Sequence, residues 1–180
     1  MGLALAITMR LEAMDNPWQS HRWVLDSVEA DLGQFKEPMK FQVAIGREII
    51  TAHPIDQEDS DRWIFKGFNL DLFVDEAEGY YLNVSSPEPS WFVMWRLEEA
   101  LWHPLKEIAV PHRVMLSYNE AGRLMDGGEQ IERFPLSAMI LKSVQEYVDE
   151  YYRPEPKRRI RPASFEGAYR PKDKFSGGSR

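Results

Sequence analysis

From residue 3 the chain alternates: Leu3, Leu5, Ile7, Met9 and Leu11 fall on one side, and Ala4, Ala6, Thr8, Arg10 and Glu12 on the other. A period of two is the signature of a half-buried strand, and no amphipathic helix can use it. The pattern returns again and again. A second strand is expected within His21 to Ala30, around Trp23, Val24, Leu25 and Val28, after the turn Asp15-Asn16-Pro17-Trp18-Gln19-Ser20. Met39, Phe41, Val43 and Ile45 predict a third. Phe68, Leu70, Leu72 and Val74 extend a run that starts at Arg62, with Gly67 placed where a bulge or kink is expected. Asp75 to Gly79 reads as a hairpin loop, and Tyr80, Leu82 and Val84 as the returning strand. Trp91 to Glu98 is apolar on both faces, which predicts a central strand, and Val110 to Tyr118 reads as a further one.

Helical signals come late. Asn119 is a reasonable cap for a short helix over Glu120 to Asp126, stopped by Gly127-Gly128. Leu136, Ile140, Leu141, Val144, Tyr147, Val148 and Tyr151 form one stripe of a longer helix, opened by Pro135 and Ser137 and closed by Pro154. The expected fold is α+β. It has a strongly curved, mainly antiparallel sheet or open barrel of about six to seven strands, a short helix, and a long C-terminal amphipathic helix over one side or end.

At 180 residues there is room for one ordinary domain. Its expected extent is residues 1–152, because the character of the chain changes at Arg153. Residues 153–180 carry nine Lys/Arg and three Asp/Glu, whereas the preceding 152 carry thirteen and twenty-six. Pro154, Pro156, Pro162 and Pro171 bar a long helix from this tail. It reads either as a solvated tail lying loosely on an acidic surface or as an arm that orders on an acidic partner; Phe165, Tyr169 and Phe175 favour the second. No stretch approaches the ~20 apolar residues of a membrane span. The apolar start lacks the basic region and hydrophobic length of a signal peptide, and Ala6 stands where a myristoylation motif needs Ser or Thr. A cytoplasmic location is the expectation.

The familiar catalytic patterns are missing from the sequence. Zero cysteines removes thiolate metal sites and cysteine nucleophiles. There is no Gly-rich phosphate loop, no Gly-x-Ser-x-Gly elbow and no His-Glu-x-x-His helix. His21, His53, His103 and His112 are scattered, so no metal site is expected from them. The run Asp56 to Asp61 resembles a calcium loop, but Asp61 stands where a Gly is demanded and Gly67 where the closing Glu should be. Glu98-Glu99 and Asp149-Glu150 are sequence neighbours whose side chains point apart, so neither marks an acid/base couple. No catalytic residue, metal or cofactor is assigned. Trp63, Trp91 and Trp95 are expected in the core. Trp18 either plugs an end of the barrel or, with Arg22 and Trp23, offers a binding surface, since a loop Trp is a frequent anchor at interfaces.

Five segments together carry a family likeness. They are Asp15 to Trp23, Trp63 to Leu72, Glu78 to Ser86, Trp91 to Arg96, and Ser117 to Ala121 continuing through Met125 to Glu129. In this order, and with the basic, proline-punctuated C-terminus, the chain resembles a bacterial domain-of-unknown-function family found across proteobacteria. Members are often encoded near molybdenum-dependent formate dehydrogenase and its maturation factors. The segment Gly33 to His53 is longer than that likeness leads one to expect. The resemblance implies a non-enzymatic accessory or adaptor protein. Its partner would be a protein, such as a molybdoenzyme subunit, held during assembly or in the mature complex. An exposed sheet edge, Trp18, Arg22 and Trp23, and the basic run Lys157, Arg158, Arg159 and Arg161 are the expected partner-binding features. Two alternatives remain at this point. A ligand-binding barrel would need an interior that Trp91, Trp95 and Tyr80 look too bulky to leave open. Nucleic-acid binding through the tail is opposed by the acidic body.

Overall fold

The computed structural model describes residues 2–36, 40–46, 48–55 and 61–153. Among them the alternating segments pair into two antiparallel sheets. The first contains β1 (Leu3–Ala13), β2 (His21–Ala30), β3 (Phe41–Ile45), β4 (Glu48–Pro54) and β5 (Arg62–Leu70), in the order β2-β1-β5-β4-β3. A 3-10 turn at Val74–Glu76 leads into α1 (Ala77–Val84). The second sheet follows: β6 (Ser90–Glu99), β7 (Glu107–Met115) and, after α2 (Tyr118–Asp126), β8 (Ile131–Pro135), in the order β7-β6-β8. The last element is α3 (Ala138–Tyr151).

One core joins the sheets. Leu5, Ile7 and Met9 of β1 and Trp63, Phe65 and Phe68 of β5 face Trp91, Val93 and Trp95 of β6 and Ile108 and Val110 of β7. Trp63, Trp91 and Trp95 are buried, as expected. Val144 and Val148 bring α3 onto the same core, and Tyr147 meets Tyr80 of α1 edge-on at 6.0 Å. On one side the two sheets touch through their edges, β2 and β8. The Glu132 carboxylate of β8 accepts the Leu25 N–H at 2.5 Å.

Each sheet is shaped by single-residue bulges, which bend a strand and re-aim the extra side chain. Leu5 pairs with Phe68 and Ala6 with Lys66, leaving Gly67 as the extra residue of β5. Its φ is +107°, and a Cβ there would lie 2.6 Å from the Ile49 carbonyl oxygen, so glycine is required twice over. In β2 the skipped residue is Asp26, whose carboxylate takes Arg10 at 2.9 Å and Arg62 at 2.5 Å. In β7 it is His112, beside Pro111, and its Nε2 lies 2.8 Å from Glu98 Oε1.

Several expectations need correction. Among the described residues eight strands in two sheets replace a single curved sheet of six to seven, and neither sheet closes into a barrel. β4 (Glu48–Pro54) and β8 (Ile131–Pro135) are strands that the sequence pattern does not predict, and residues 56–60 of the acidic run lie outside the described residues. Tyr80, Leu82 and Val84 are in α1, not in a returning strand. Their alternation is incidental, because the buried residues are Ala77, Gly79, Tyr80 and Asn83, at helical spacing. The strand expected over Val110 to Tyr118 starts three residues earlier, at Glu107. The cap of α2 is Ser117 rather than Asn119, its side-chain oxygen accepting the Glu120 N–H. The central position of β6 and the extent of α3 match the reading of the sequence.

Candidate functional site

The β1–β2 turn presents the most exposed large apolar side chain described. Met14 N–H donates to the Ser20 carbonyl at 2.7 Å and closes the hairpin. Asn16 Oδ1 accepts the Trp18 N–H at 2.9 Å, an Asx turn that fixes the backbone beneath the indole. Trp18 itself is 94% exposed. It plugs nothing, so the barrel-end reading is overturned. Beside the hairpin, Arg22 donates through Nε and Nη2 to Glu12 Oε2 at 3.0 and 2.9 Å, and Arg10 reaches the same carboxylate at 2.7 Å. The two guanidiniums hold Glu12 below its ordinary pKa, the Arg22 hydrogen bond foremost.

Trp23, expected with Arg22 at the surface, is buried. It follows Arg22 on a strand, so its side chain takes the opposite face, and that face is the core. Its ring lies 5.7 Å from that of His103 in the β6–β7 turn. This turn puts a second apolar group at the same end of the first sheet. Trp102 packs on Trp63 at 4.7 Å and on Phe41 at 5.7 Å but keeps half its surface exposed, and Leu101 and Leu105 are exposed beside it. Neither Trp102 nor its neighbours stood out in the sequence. The available signal was three apolar residues gathered around His103-Pro104, where a solvated turn would be polar. Lys157, Arg158, Arg159 and Arg161 lie outside the described residues.

A second feature sits on the side of the sheets away from the β2–β8 contact. There the β3–β4 turn, the end of β5 and the 3-10 turn stand across from β7 and α2 around a cleft of about 710 Å³. Among the described residues five carboxylates line it, Glu48, Asp71, Asp75, Glu76 and Glu120, with one guanidinium, that of Arg113. Two of the acids are tied down. Glu76 accepts from the Ser117 hydroxyl and from Arg123, each at 2.5 Å, and Glu120 pairs with Arg113 at 2.7 Å. Burial pushes Glu76 upward, but the Ser117 hydroxyl and Arg123 outweigh it and the carboxyl ends below its usual pKa. For Glu120 burial wins over Arg113 and the carboxyl is raised. Tyr80, in the wall, is pushed up to about 12 by burial, and its oxygen accepts the Phe73 N–H at 3.3 Å. Glu48, Asp71 and Asp75 are exposed and have no cationic partner among the described residues.

No group of three or more His, Asp or Glu side chains among the described residues is arranged to hold a metal ion. Among them, too, no helix is long and apolar enough to cross a membrane. Searches of the curated proteins and of the solved structures give no match to this chain. Residues 4–161 match the family described as a protein of unknown function, DUF3305, a span that runs from the second residue of β1 through α3 and takes in the basic run 157–161. The chain therefore belongs to the DUF3305 family.

Proposed function

We propose that this is a non-enzymatic accessory protein that holds a partner polypeptide on the end face formed by the β1–β2 and β6–β7 turns. The observation that carries the reading is Trp18, an almost fully exposed indole on a turn already fixed by its own hydrogen bonds. A rigid, exposed Trp offers large contact area with little ordering left to do on binding, which is what an interface anchor requires. Leu101, Trp102 and Leu105 extend the apolar area at that end. The outer edges of β3 and β7, unpaired among the described residues, add places where a partner strand could pair. The partner class comes from the family resemblance: a subunit of a molybdenum-dependent formate dehydrogenase, met during assembly or in the finished complex.

The test is native co-purification of the tagged full chain with the subunits of such an enzyme, repeated with Trp18→Ala and Arg22→Glu. An anchor Trp is worth about 2–4 kcal/mol, so Trp18→Ala should weaken retention by about thirtyfold or more. If no enzyme subunit is retained, the partner is wrong. Should retention survive Trp18→Ala undiminished, the proposed face is wrong.

A small-molecule reading has one observation in its favour, the size of the cleft. Against it, Glu76, Ser117, Arg123, Glu120 and Arg113 are engaged with one another.

A further inference from the structure

Among the described residues each sheet has two outer edges, and their chemistry differs. β2 and β8 meet each other. β7 carries the usual guards of an exposed edge: Pro111, the extra residue His112, and the charges of Glu107 and Arg113. β3 carries none. Its residues, Phe41-Gln42-Val43-Ala44-Ile45, include no charge and no proline, and its register with β4 is unbroken. The Ala52 carbonyl accepts the Lys40 N–H at 3.0 Å, whereas the Ile49 carbonyl is turned to Gly67 of β5. Carbonyls alternate in direction along a strand, so Glu48, Ile50 and Ala52 bond to Ile45, Val43 and Phe41. The N–H and C=O groups of Gln42 and Ala44 therefore point outward, with no strand to pair with among the described residues.

Apolar surface flanks this edge on both faces. Phe41, Val43 and Ile45 are only partly buried against the core, and Phe41 lies 5.7 Å from the half-exposed Trp102. Ile49, opposite Ala44 on the outer face, is 57% exposed. Charge selects the occupant. The chain is −7 overall, so two copies repel in general and are least opposed where the touching surfaces carry no charge. A two-fold axis through Val43 gives such a contact. Val43 faces its own counterpart, Gln42 faces Ala44 of the second copy, and every facing pair is neutral. An uncharged row, conversely, gives a basic or acidic partner strand nothing to recognise. We propose that β3 pairs antiparallel with β3 of a second copy, so that the backbone groups of Gln42 and Ala44 join two sheets into one continuous sheet. The β1–β2 hairpin lies at the opposite edge of the sheet, so this dimer leaves the Trp18 face open to a partner.

The absence of cysteine makes the register testable. Under mild oxidation Val43→Cys in the full chain should give a disulfide-linked dimer, because a non-hydrogen-bonded pair across the axis brings the two Cα atoms to about 4.5 Å. Ala44→Cys, which would face Gln42, should stay unlinked under the same conditions. Sedimentation equilibrium then reads the affinity of the chain without cysteine. Gln42→Lys/Ala44→Lys sets two like-charge pairs across the axis and should weaken the dimer about tenfold or more. Gln42→Lys/Ala44→Glu turns the same two pairs into attractions and should bring the affinity back. Both positions are exposed, and the urea midpoint of each variant checks that the fold is kept. A monomer at every accessible concentration, cross-linking that is absent at position 43 or equal at 43 and 44, or a dimer indifferent to the charge swap overturns the proposal. A dimer lost in Trp18→Ala overturns it as well, since the second copy then sits on the hairpin face.

Discussion

Asn83 stands inside a glycosylation-type triplet, yet its side chain is one of the most buried in the protein. Its amide nitrogen donates to the carbonyls of Ser90 at 2.7 Å and Leu116 at 2.9 Å, and its oxygen accepts the Ser90 N–H at 2.9 Å. One side chain thereby fastens α1 to the start of β6 and the end of β7. Asn83→Ala strands a buried amide and two carbonyls, and should cost about 3 kcal/mol in urea unfolding. A cost under about 1 kcal/mol would mean that water replaces the amide. Gly79 makes a sharper test. Helix propensity alone says that Gly79→Ala should stabilise by about 1 kcal/mol. The structure says the reverse, because the new Cβ would sit 2.0 Å from Ser117 Oγ and 3.2 Å from its Cα. A loss of about 2–3 kcal/mol is expected from this overpacking, only partly recovered by adding Ser117→Ala, which also removes the α2 cap. A stabilised Gly79→Ala would show that α1 does not press on Ser117. Neither role was legible beforehand: Gly and Asn mark turns in sequence, and only tertiary contact turns them into inward-facing helix residues.

Elements were legible where pattern and burial coincide. β1, β2 and β6 announce themselves because long runs keep their apolar residues on the buried face, and α3 because Ser137 and a clean apolar stripe frame it. Where the two part company, the reading failed. In β4 the apolar Ile49 is 57% exposed and the polar His53 is buried, which inverts the expected code. β8 has five residues, its apolar pair Ile131 and Phe134 lies three apart, and its Glu132 is half-buried. The candidate site divides in the same way. Trp18 stood out because a Trp in an Asn-Pro turn is conspicuous, and Trp23 was misplaced because one strand residue separates inside from outside. The cleft could not be foreseen at all: its carboxylates come from the β3–β4 turn, the end of β5, the 3-10 turn and α2, which only the topology assembles.

At the scale of the molecule, two sheets meet along one edge and part along the other, and the meeting edge depends on an ionisable group. Leu25 N–H would be an unpaired edge donor of β2 without Glu132. Burial raises the Glu132 carboxyl above its usual pKa, with the Leu25 N–H pulling against it. A folded pKa above the unfolded one means that the native state holds more protons in between, so this group's contribution falls as pH rises from about 4.5 through the raised value. Asp26 and Glu76 have the opposite sign: burial raises both, but Arg10 and Arg62 for one, and Ser117 and Arg123 for the other, bring them below their usual values. Their stabilisation is therefore lost as pH falls through those lowered values. Whole-protein acid unfolding mixes the two, and a difference between variants separates them. Glu132→Gln keeps an acceptor for Leu25 and discards the charge. Its urea midpoint should match the natural chain's at pH 4, where Glu132 is already protonated, and rise above it at pH 7. Glu132→Ala, which removes the acceptor as well, should be weaker than Gln at both pH values by about 1–3 kcal/mol. If Gln is the weaker protein at pH 7, the charge is holding the sheets together, and the seam rests on an ionic contact with β2 instead of a neutral hydrogen bond.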